Sequence, residues 1–387
     1  MSLLNHLILL AVSLPFLWVG VLLSIKRLRS AQFPLWLVVL FVVPILKLFL
    51  FVALALAPEK GTVPANPGVR LTWLPESLLG SAALALLVSC SIMMAAAFMG
   101  THLLGDYGWG LFAGLPFSTG FLSALILGAR KRRTVRESLL VAVVSIALSG
   151  AIFLVVAFEG VICLIMAAPI AFVLAMLGAL AAHVILNFSR PKPELFCVPI
   201  IAMPLMLGIE YFRAEPPPLL KVVTSIEIKA RPEAVWKQVV SFNELPEPRD
   251  FIFKVGIAYP IRAEILGKGP GAIRNCIFST GPFVEPIEVW DEPRLLKFSV
   301  THNPEPLQEW TPYRAIHPPH LNGFLVSKQG QFRLEPLPNG HTLLEGTTWY
   351  HHTMWPANYW QIWSDKIIHT IHLRVLNHVK NLAEKAE

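Results

Sequence analysis

Seven apolar runs before residue 213 constrain the fold more than any other feature of the sequence. A helix of about 20 apolar residues is long enough to cross the hydrocarbon core of a bilayer. The mean hydropathy of +0.58 is also far above that of soluble proteins. We therefore expect a multi-pass α-helical membrane domain. The runs cover residues 3–25, 33–57, 77–99, 110–129, 139–158, 161–186 and 195–212.

The rest of the chain has the composition of a soluble domain. A stiff stretch, Glu215-Pro216-Pro217-Pro218, separates the two parts. We predict a membrane domain at 1–212, a Pro-rich linker at 213–220 and a folded domain at 221–387. The first part carries 13 Lys and Arg against 7 Asp and Glu, whereas the chain after Phe212 carries 19 against 18. The basic excess thus belongs to membrane loops, and it gives no reason to expect a nucleic-acid partner.

Three features of the membrane part predict local structure. Small residues in the third and sixth runs, such as those at 178–182, predict close contacts between helices. The fourth run contains Gly114, Pro116 and Gly120, so it is the weakest span, and a broken or re-entrant helix is an alternative to a full crossing there. The first run lacks a cleavage signal and is interpreted as a retained span.

Two charges lie within or between the runs. Lys47 is near the middle of the second run, where we expect a carbonyl or a carboxylate such as Glu159 or Glu210 as its partner. Glu159 precedes Gly160 between the fifth and sixth runs, and we interpret it as a cap of a tight turn. The alternative for both charges is a substrate or ion pathway.

The side of the membrane on which the folded domain lies is not resolved by the basic residues. Clusters at 26–29 and 130–136 both favour the cytoplasm, yet three candidate spans separate them. Loop counts favour a folded domain on the extracytoplasmic face. The single cysteine after residue 221, Cys276, excludes an internal disulfide there and fits the cytoplasm. We expect a multi-pass protein of the cell membrane, with the domain outside on the loop counts.

The folded domain has the pattern of a strand, a helix, a run of antiparallel strands and one long helix, which is an α+β fold. Asn339-Gly340 supplies the positive φ angles of a tight hairpin turn. Apolar residues recur every three or four positions from Trp360 to Leu382, so the last helix must bury one face. We predict strands at 221–229, 251–256, 261–266, 272–279, 284–290, 295–301, 324–334 and 341–353, and helices at 231–240 and 356–385.

Three segments of this domain carry a family resemblance: residues 222–240, 282–301 and 330–380. They include an Ala-Arg-Pro-Glu-Ala-Val-Trp opening after a strand and the Asn-Gly hairpin before the last helix. These segments resemble the START-like, or SRPBCC, helix-grip superfamily, which includes polyketide cyclase/dehydrase-like proteins and lipid-transfer domains. The resemblance implies a curved antiparallel sheet that grips a long C-terminal helix around a hydrophobic cavity. It implies no catalytic motif and does not extend to the membrane part.

The candidate ligand-binding residues are aromatic and apolar side chains, most of them in or next to the last strand and helix, with one charged strand residue that could border the cavity. Aromatic side chains can line a pocket for a flat or lipidic ligand, although core packing is the plainer interpretation. Glu285 and Glu345 are weak catalytic candidates, since a carboxylate of shifted pKa could move a proton. The ligand-binding candidates are Arg274, Tyr313, Trp349, Tyr350, Trp355, Trp360, Trp363, Ile367 and Ile371.

Histidines are dense after residue 300 and raise the question of a metal site. His369 and His372 share a helix face, and His351 on the preceding strand could join them. Because the spacing lacks an HExxH-type motif, hydrogen-bonded histidines are the favoured interpretation, and we expect no metal or cofactor.

We therefore predict a membrane-anchored START-like domain that binds a hydrophobic or lipidic small molecule between its sheet and its C-terminal helix. Its expected partners are the bilayer and that ligand. A cyclase- or dehydratase-type enzyme and a regulatory or assembly module of the membrane bundle are the alternatives.

Overall fold

The computed structural model describes residues 74–105, 107–188, 217–313 and 316–386, together with residues 20–21, 23–30, 33–34, 37–38, 54, 196–197, 203 and 207–208. Most of the first, second and seventh apolar runs lies outside the described residues, as do Lys47, Glu210 and the first half of the linker. The chain forms two compact units. One comprises residues 1–90, 117–145 and 175–201. The other comprises residues 91–116, 146–174 and 202–387.

Four long apolar helices follow the third to sixth runs. They are α1 (Leu78–Phe98), α2 (Leu115–Gly128), α3 (Val135–Val155) and α4 (Val161–Phe188). A π-helical segment, Met99–Leu103, continues α1, and another, Gly110–Gly114, leads into α2. The fourth run is therefore one helical segment of 19 residues. The π-helical part of this segment ends at Gly114, one of the glycines noted in the sequence. In the described part of the chain, all four segments are long and apolar enough to cross a membrane.

Within the first unit, α2 and α4 approach each other through glycines. A Cβ atom added to Gly120 would collide with the backbone of Ala175, and one added to Gly178 would collide with the carbonyl oxygen of Phe117. This reciprocal contact explains the small residues of the sixth run, because only a hydrogen in place of a side chain lets the two backbones come so close.

The folded domain has one antiparallel sheet in the order β1-β7-β6-β5-β4-β3-β2. The sheet curls around the C-terminal helix α7 (Ala357–Ala386), which packs against β1 and β7. Two shorter helices, α5 (Pro232–Val240) and α6 (Phe251–Lys254), precede β2. The described domain has the predicted helix-grip arrangement. The strands are β1 (Leu220–Ile228), β2 (Pro260–Leu266), β3 (Ile273–Phe278), β4 (Gly281–Asp291), β5 (Leu295–Ser299), β6 (Leu325–Pro336) and β7 (Thr342–His352).

The predicted strand at 251–256 is wrong. This segment forms the single helical turn α6, which buries Phe253 and leaves Phe251 exposed. A short apolar run cannot distinguish a strand from a helical turn by its periodicity. Here the contact of Phe253 with Ile257 and Leu307 decides between them.

The core of the domain fills the space between the sheet and the C-terminal half of α7. Leu376 and Val379 of α7 are fully buried against Ile228 and Leu344 of the sheet and Val235 of α5. This packing is the main favourable contribution to the fold of the domain, since each fully buried aliphatic side chain contributes about 1.5–3 kcal/mol.

Candidate functional site

The second unit contains an apolar cavity of about 420 Å³. Residues 93–116 and 146–172 of the apolar helices and their connections form most of its wall. The folded domain closes it with Trp360, Trp363 and Ile367 of α7 and with Leu307 of a long loop. This volume is in the range of small-molecule sites, about 300–1,000 Å³.

The first half of α7 is buried on two sides, which explains its contribution to the cavity. Ile368 packs against Val222 and Tyr350 of the sheet. Ile367 and Ile371 pack instead against a second cluster that includes Ile162, Cys163 and Met166 of α4. The Tyr359 hydroxyl also donates a hydrogen bond to the Met166 carbonyl. The cavity therefore lies between α7 and the apolar helices, whereas the prediction placed it between α7 and the sheet.

The loop from residue 303 to 322 holds the wall of the cavity in place. The amide of Val161, at the start of α4, donates to the Trp310 carbonyl at 3.0 Å. The Tyr313 hydroxyl donates to the carbonyl of Val155, at the end of α3. On another side, the amide of Trp355 donates to the Tyr107 carbonyl at 2.9 Å. The contacts of Trp310 and Tyr313 bring polar side chains of the loop next to the α3–α4 turn.

One edge of the cavity carries a cluster of polar side chains. Cys163 Sγ lies 2.9 Å from His320 Nε2, and Glu309 Oε1 lies 3.8 Å from the same nitrogen. Glu159 Oε2 lies 3.5 Å from His320 Nδ1, and the Tyr107 hydroxyl donates to Glu159 Oε1 at 3.3 Å. One donor atom from each of Glu159, Cys163, Glu309 and His320 lies within 4.8 Å of the others. Among the described residues, these four could hold a metal ion.

Burial sets the electrostatics of this cluster. The Glu309 side chain has no exposed surface, and burial raises the pKa of its carboxyl. Burial by itself would lower the pKa of His320, but Glu159 and Glu309 outweigh that effect and raise it. Burial and the neighbouring Glu159 carboxylate raise the pKa of Tyr107, so its phenol remains a hydrogen-bond donor.

The structure separates the predicted ligand-binding residues into three groups. Trp360, Trp363 and Ile367 line the cavity, and Ile371 packs beside it. Tyr350 is fully buried and donates to Asp365 Oδ1 at 2.6 Å. Tyr313, Trp349 and Trp355 are half-buried or exposed, with Lys221 over the Trp349 ring and Trp109 stacked on Trp355.

The remaining candidate, Arg274, forms a buried ion pair with the catalytic candidate Glu285. The two residues face each other across β3 and β4, inside the domain core. Glu345 of β7 accepts a hydrogen bond from Thr347 at 3.3 Å. Neither glutamate is among the residues that line the described cavity.

Two of the predicted metal candidates are hydrogen-bonded to threonines. His369 Nδ1 lies 2.7 Å from the Thr224 hydroxyl, and His372 Nε2 lies 2.7 Å from the Thr348 hydroxyl. His351 belongs to β7 and pairs with Val326.

Sequence reasoning did not bring the polar cluster together. Glu159 precedes α4 by two residues and Cys163 lies in the first turn of that helix, so their closeness in the sequence was a usable signal. Glu309 and His320 lie about 150 residues later in a loop. This loop has no regular spacing, so it offered no signal that could link them to Glu159 and Cys163.

No protein-family model and no curated protein matches this chain. Among solved structures, norcoclaurine synthase from Thalictrum flavum is 13% identical, covers 45% of this chain and 99% of its own, and has a TM-score of 0.30. The protein XoxI from Bacillus cereus is 17% identical, covers 42% and 93%, and has a TM-score of 0.28. A protein from Nitrosospira multiformis is 18% identical, covers 42% and 94%, and has a TM-score of 0.27. Because these scores are low, the fold assignment rests on the strand order and the terminal helix.

Proposed function

We propose that this chain is a multi-pass membrane protein that binds a hydrophobic small molecule of lipid type in the 420 Å³ cavity. The observation that carries the proposal is the cavity wall, which is almost entirely aliphatic and aromatic. Apolar ligands bind such walls because both surfaces leave water.

The polar cluster gives the proposed ligand an orientation. Tyr107, Glu159, Cys163 and His320 all border the cavity. A ligand with one polar end would place that end at this cluster and its hydrocarbon part along α4 and α7. This arrangement favours a single-chain amphiphile with an uncharged polar end, such as a long-chain alcohol, over a fully apolar hydrocarbon. Glu159 and Glu309 would repel an anionic headgroup.

Photo-crosslinking tests the proposal. The full chain in lipid nanodiscs is incubated with a long-chain alcohol that carries a diazirine, irradiated and digested. We expect label on peptides that contain residues 146–172 and 354–367. Gly150 lines the cavity, and a Cβ atom there meets nothing within 4 Å. Gly150→Phe should therefore fill the space and reduce labelling.

Val173→Phe is the matched control, because Val173 is exposed on α4 and does not line the cavity. Its labelling should equal that of the wild type. If Gly150→Phe keeps the wild-type melting temperature and is labelled as strongly as Val173→Phe, the cavity is not the binding site.

A further inference from the structure

We propose that Cys163, Glu309 and His320 form a binding site for a divalent zinc-type metal ion, with Glu159 as the residue that orients the histidine. The two carboxylates, the thiol and the imidazole belong to the second unit and meet at the cavity edge. This proposal does not depend on the lipid-type ligand.

The carboxylate of Glu309 lacks well-formed hydrogen bonds in the described part of the chain. Its side chain is fully buried, and neither oxygen has a hydrogen-bond partner of good geometry among the described residues. Its contacts with the Cys163 thiol, the Ile162 amide and His320 are long or poorly aligned. A buried carboxylate without strong partners is costly, so such groups are normally paired or coordinate a metal. A bound cation next to His320 Nε2 would satisfy it.

The two ring nitrogens of His320 face different groups. Cys163 Sγ and Glu309 Oε1 both lie at Nε2, whereas Glu159 Oε2 lies at Nδ1. A metal-bound histidine commonly donates its other N–H to a carboxylate. Nε2 is therefore the proposed ligand atom. His320 Nδ1 and Glu159 Oε2 are 3.5 Å apart and not yet hydrogen-bonded, so a small movement on metal binding would let Glu159 orient the imidazole.

The separations and the chemical types of the donor atoms suit a zinc ion. Zinc bonds of about 2.0–2.3 Å in a tetrahedral site place neighbouring donors roughly 3.3–3.7 Å apart. The separations from His320 Nε2 are 2.9 Å to sulfur and 3.8 Å to oxygen, so small movements complete the site. One sulfur, one nitrogen and one carboxylate oxygen form a donor set that suits zinc, whereas magnesium and calcium prefer oxygen alone.

The same cluster is poorly suited to a cysteine nucleophile. Cys163 and His320 are in hydrogen-bond contact, with Glu159 behind the imidazole, which imitates a catalytic triad. However, two carboxylates near the sulfur would repel a thiolate in a buried site. A divalent cation removes that repulsion, because it binds the thiolate and the carboxylate together.

The test begins with the wild-type full chain, purified in detergent with a tag that contains no histidine. We expect about one zinc per chain by elemental mass spectrometry. Zinc-edge X-ray absorption should show one sulfur at about 2.3 Å and nitrogen or oxygen at about 2.0–2.2 Å. Cobalt substitution should produce a thiolate-to-cobalt charge-transfer band. This wild-type measurement decides the proposal even if a variant fails to fold.

Variants then assign the ligands. Cys163→Ser should remove the cobalt band, and Glu309→Gln and His320→Gln should each lower zinc occupancy at least tenfold. Glu159→Gln should keep the band but weaken metal affinity about 10–100-fold, as expected for an orienting residue. The exposed controls Cys197→Ser and His317→Gln should leave the band and the affinity unchanged.

Two results would overturn the proposal. One is a folded wild-type chain that binds neither zinc nor cobalt after metal loading. The other is a cobalt band that persists in Cys163→Ser, which would assign the metal to another thiol.

Discussion

Replacement of Glu285 by glutamine tests how the buried ion pair contributes to the folded domain. Arg274 is 1% exposed and Glu285 is 6% exposed, and the guanidinium also donates to the Val240 carbonyl at 3.3 Å. The guanidinium carbon lies 5.6 Å from the ring centres of Phe242, Phe298 and Phe332. Glu285→Gln would leave this cation among aromatic rings without its counter-charge.

The expected cost follows from the loss of one partner in a buried pair. Breaking such a pair typically lowers the free energy of unfolding by about 3–5 kcal/mol, because the remaining charge is neither hydrated nor compensated. At about 2–4 °C per kcal/mol for a domain of this size, the melting temperature should fall by roughly 6–20 °C. Replacing both partners, as Arg274→Met with Glu285→Leu, should be close to neutral because the remaining core is apolar.

Tryptophan fluorescence during thermal unfolding of the full chain in detergent measures these shifts. Trp236 is 2% exposed and packs 5.8 Å from the Trp290 ring in the same core, so its environment changes on unfolding. The control is Arg262→Met, which breaks an exposed pair with Glu264 and should change stability by less than about 1 kcal/mol. A Glu285→Gln protein as stable as that control, or a double variant less stable than Glu285→Gln, would refute the reasoning.

Two further predictions concern a buried histidine and a helix contact. Burial and a neighbouring histidine lower the pKa of His372 to about 4. Between pH 6.5 and pH 4, His372 is therefore protonated in the unfolded chain but not in the folded one. The free energy of unfolding should fall by up to about 3 kcal/mol as the pH drops through this range. His372→Gln should flatten this dependence in urea unfolding, whereas a change at exposed His302 should not. Gly178→Ala should cost about 1–3 kcal/mol because its methyl meets the Phe117 carbonyl. The control Gly150→Ala should be neutral or slightly stabilising in the same thermal assay; equal effects of the two alanines would contradict the close contact.

Local patterns in the sequence predicted most of the described elements. The third to sixth apolar runs form helices in the structure, as their length and composition predicted. Alternation predicted β1, and Asn339-Gly340 predicted the turn between β6 and β7. These signals act over a few residues, so they can be recognised without knowledge of the tertiary fold.

Pairings between distant segments depended on the tertiary structure. Arg274 and Glu285 lie in two neighbouring predicted strands, but only the β3–β4 register makes them a buried pair. Likewise, periodicity predicted an apolar face on α7, yet the burial of Ile367 on one side and Ile368 on the other required both the sheet and α4.

The polar cluster shows the same limit at the candidate site. Glu159 lies just before α4 and Cys163 lies in its first turn, so the two are close in the sequence as well as in space. Glu309 and His320 join them because the Val161 amide binds the Trp310 carbonyl and fixes the loop against α4. Sequence periodicity describes which groups one element presents on a face. Which groups from different elements meet in a buried space is decided by packing, because burial makes each polar group depend on the partners that the fold supplies.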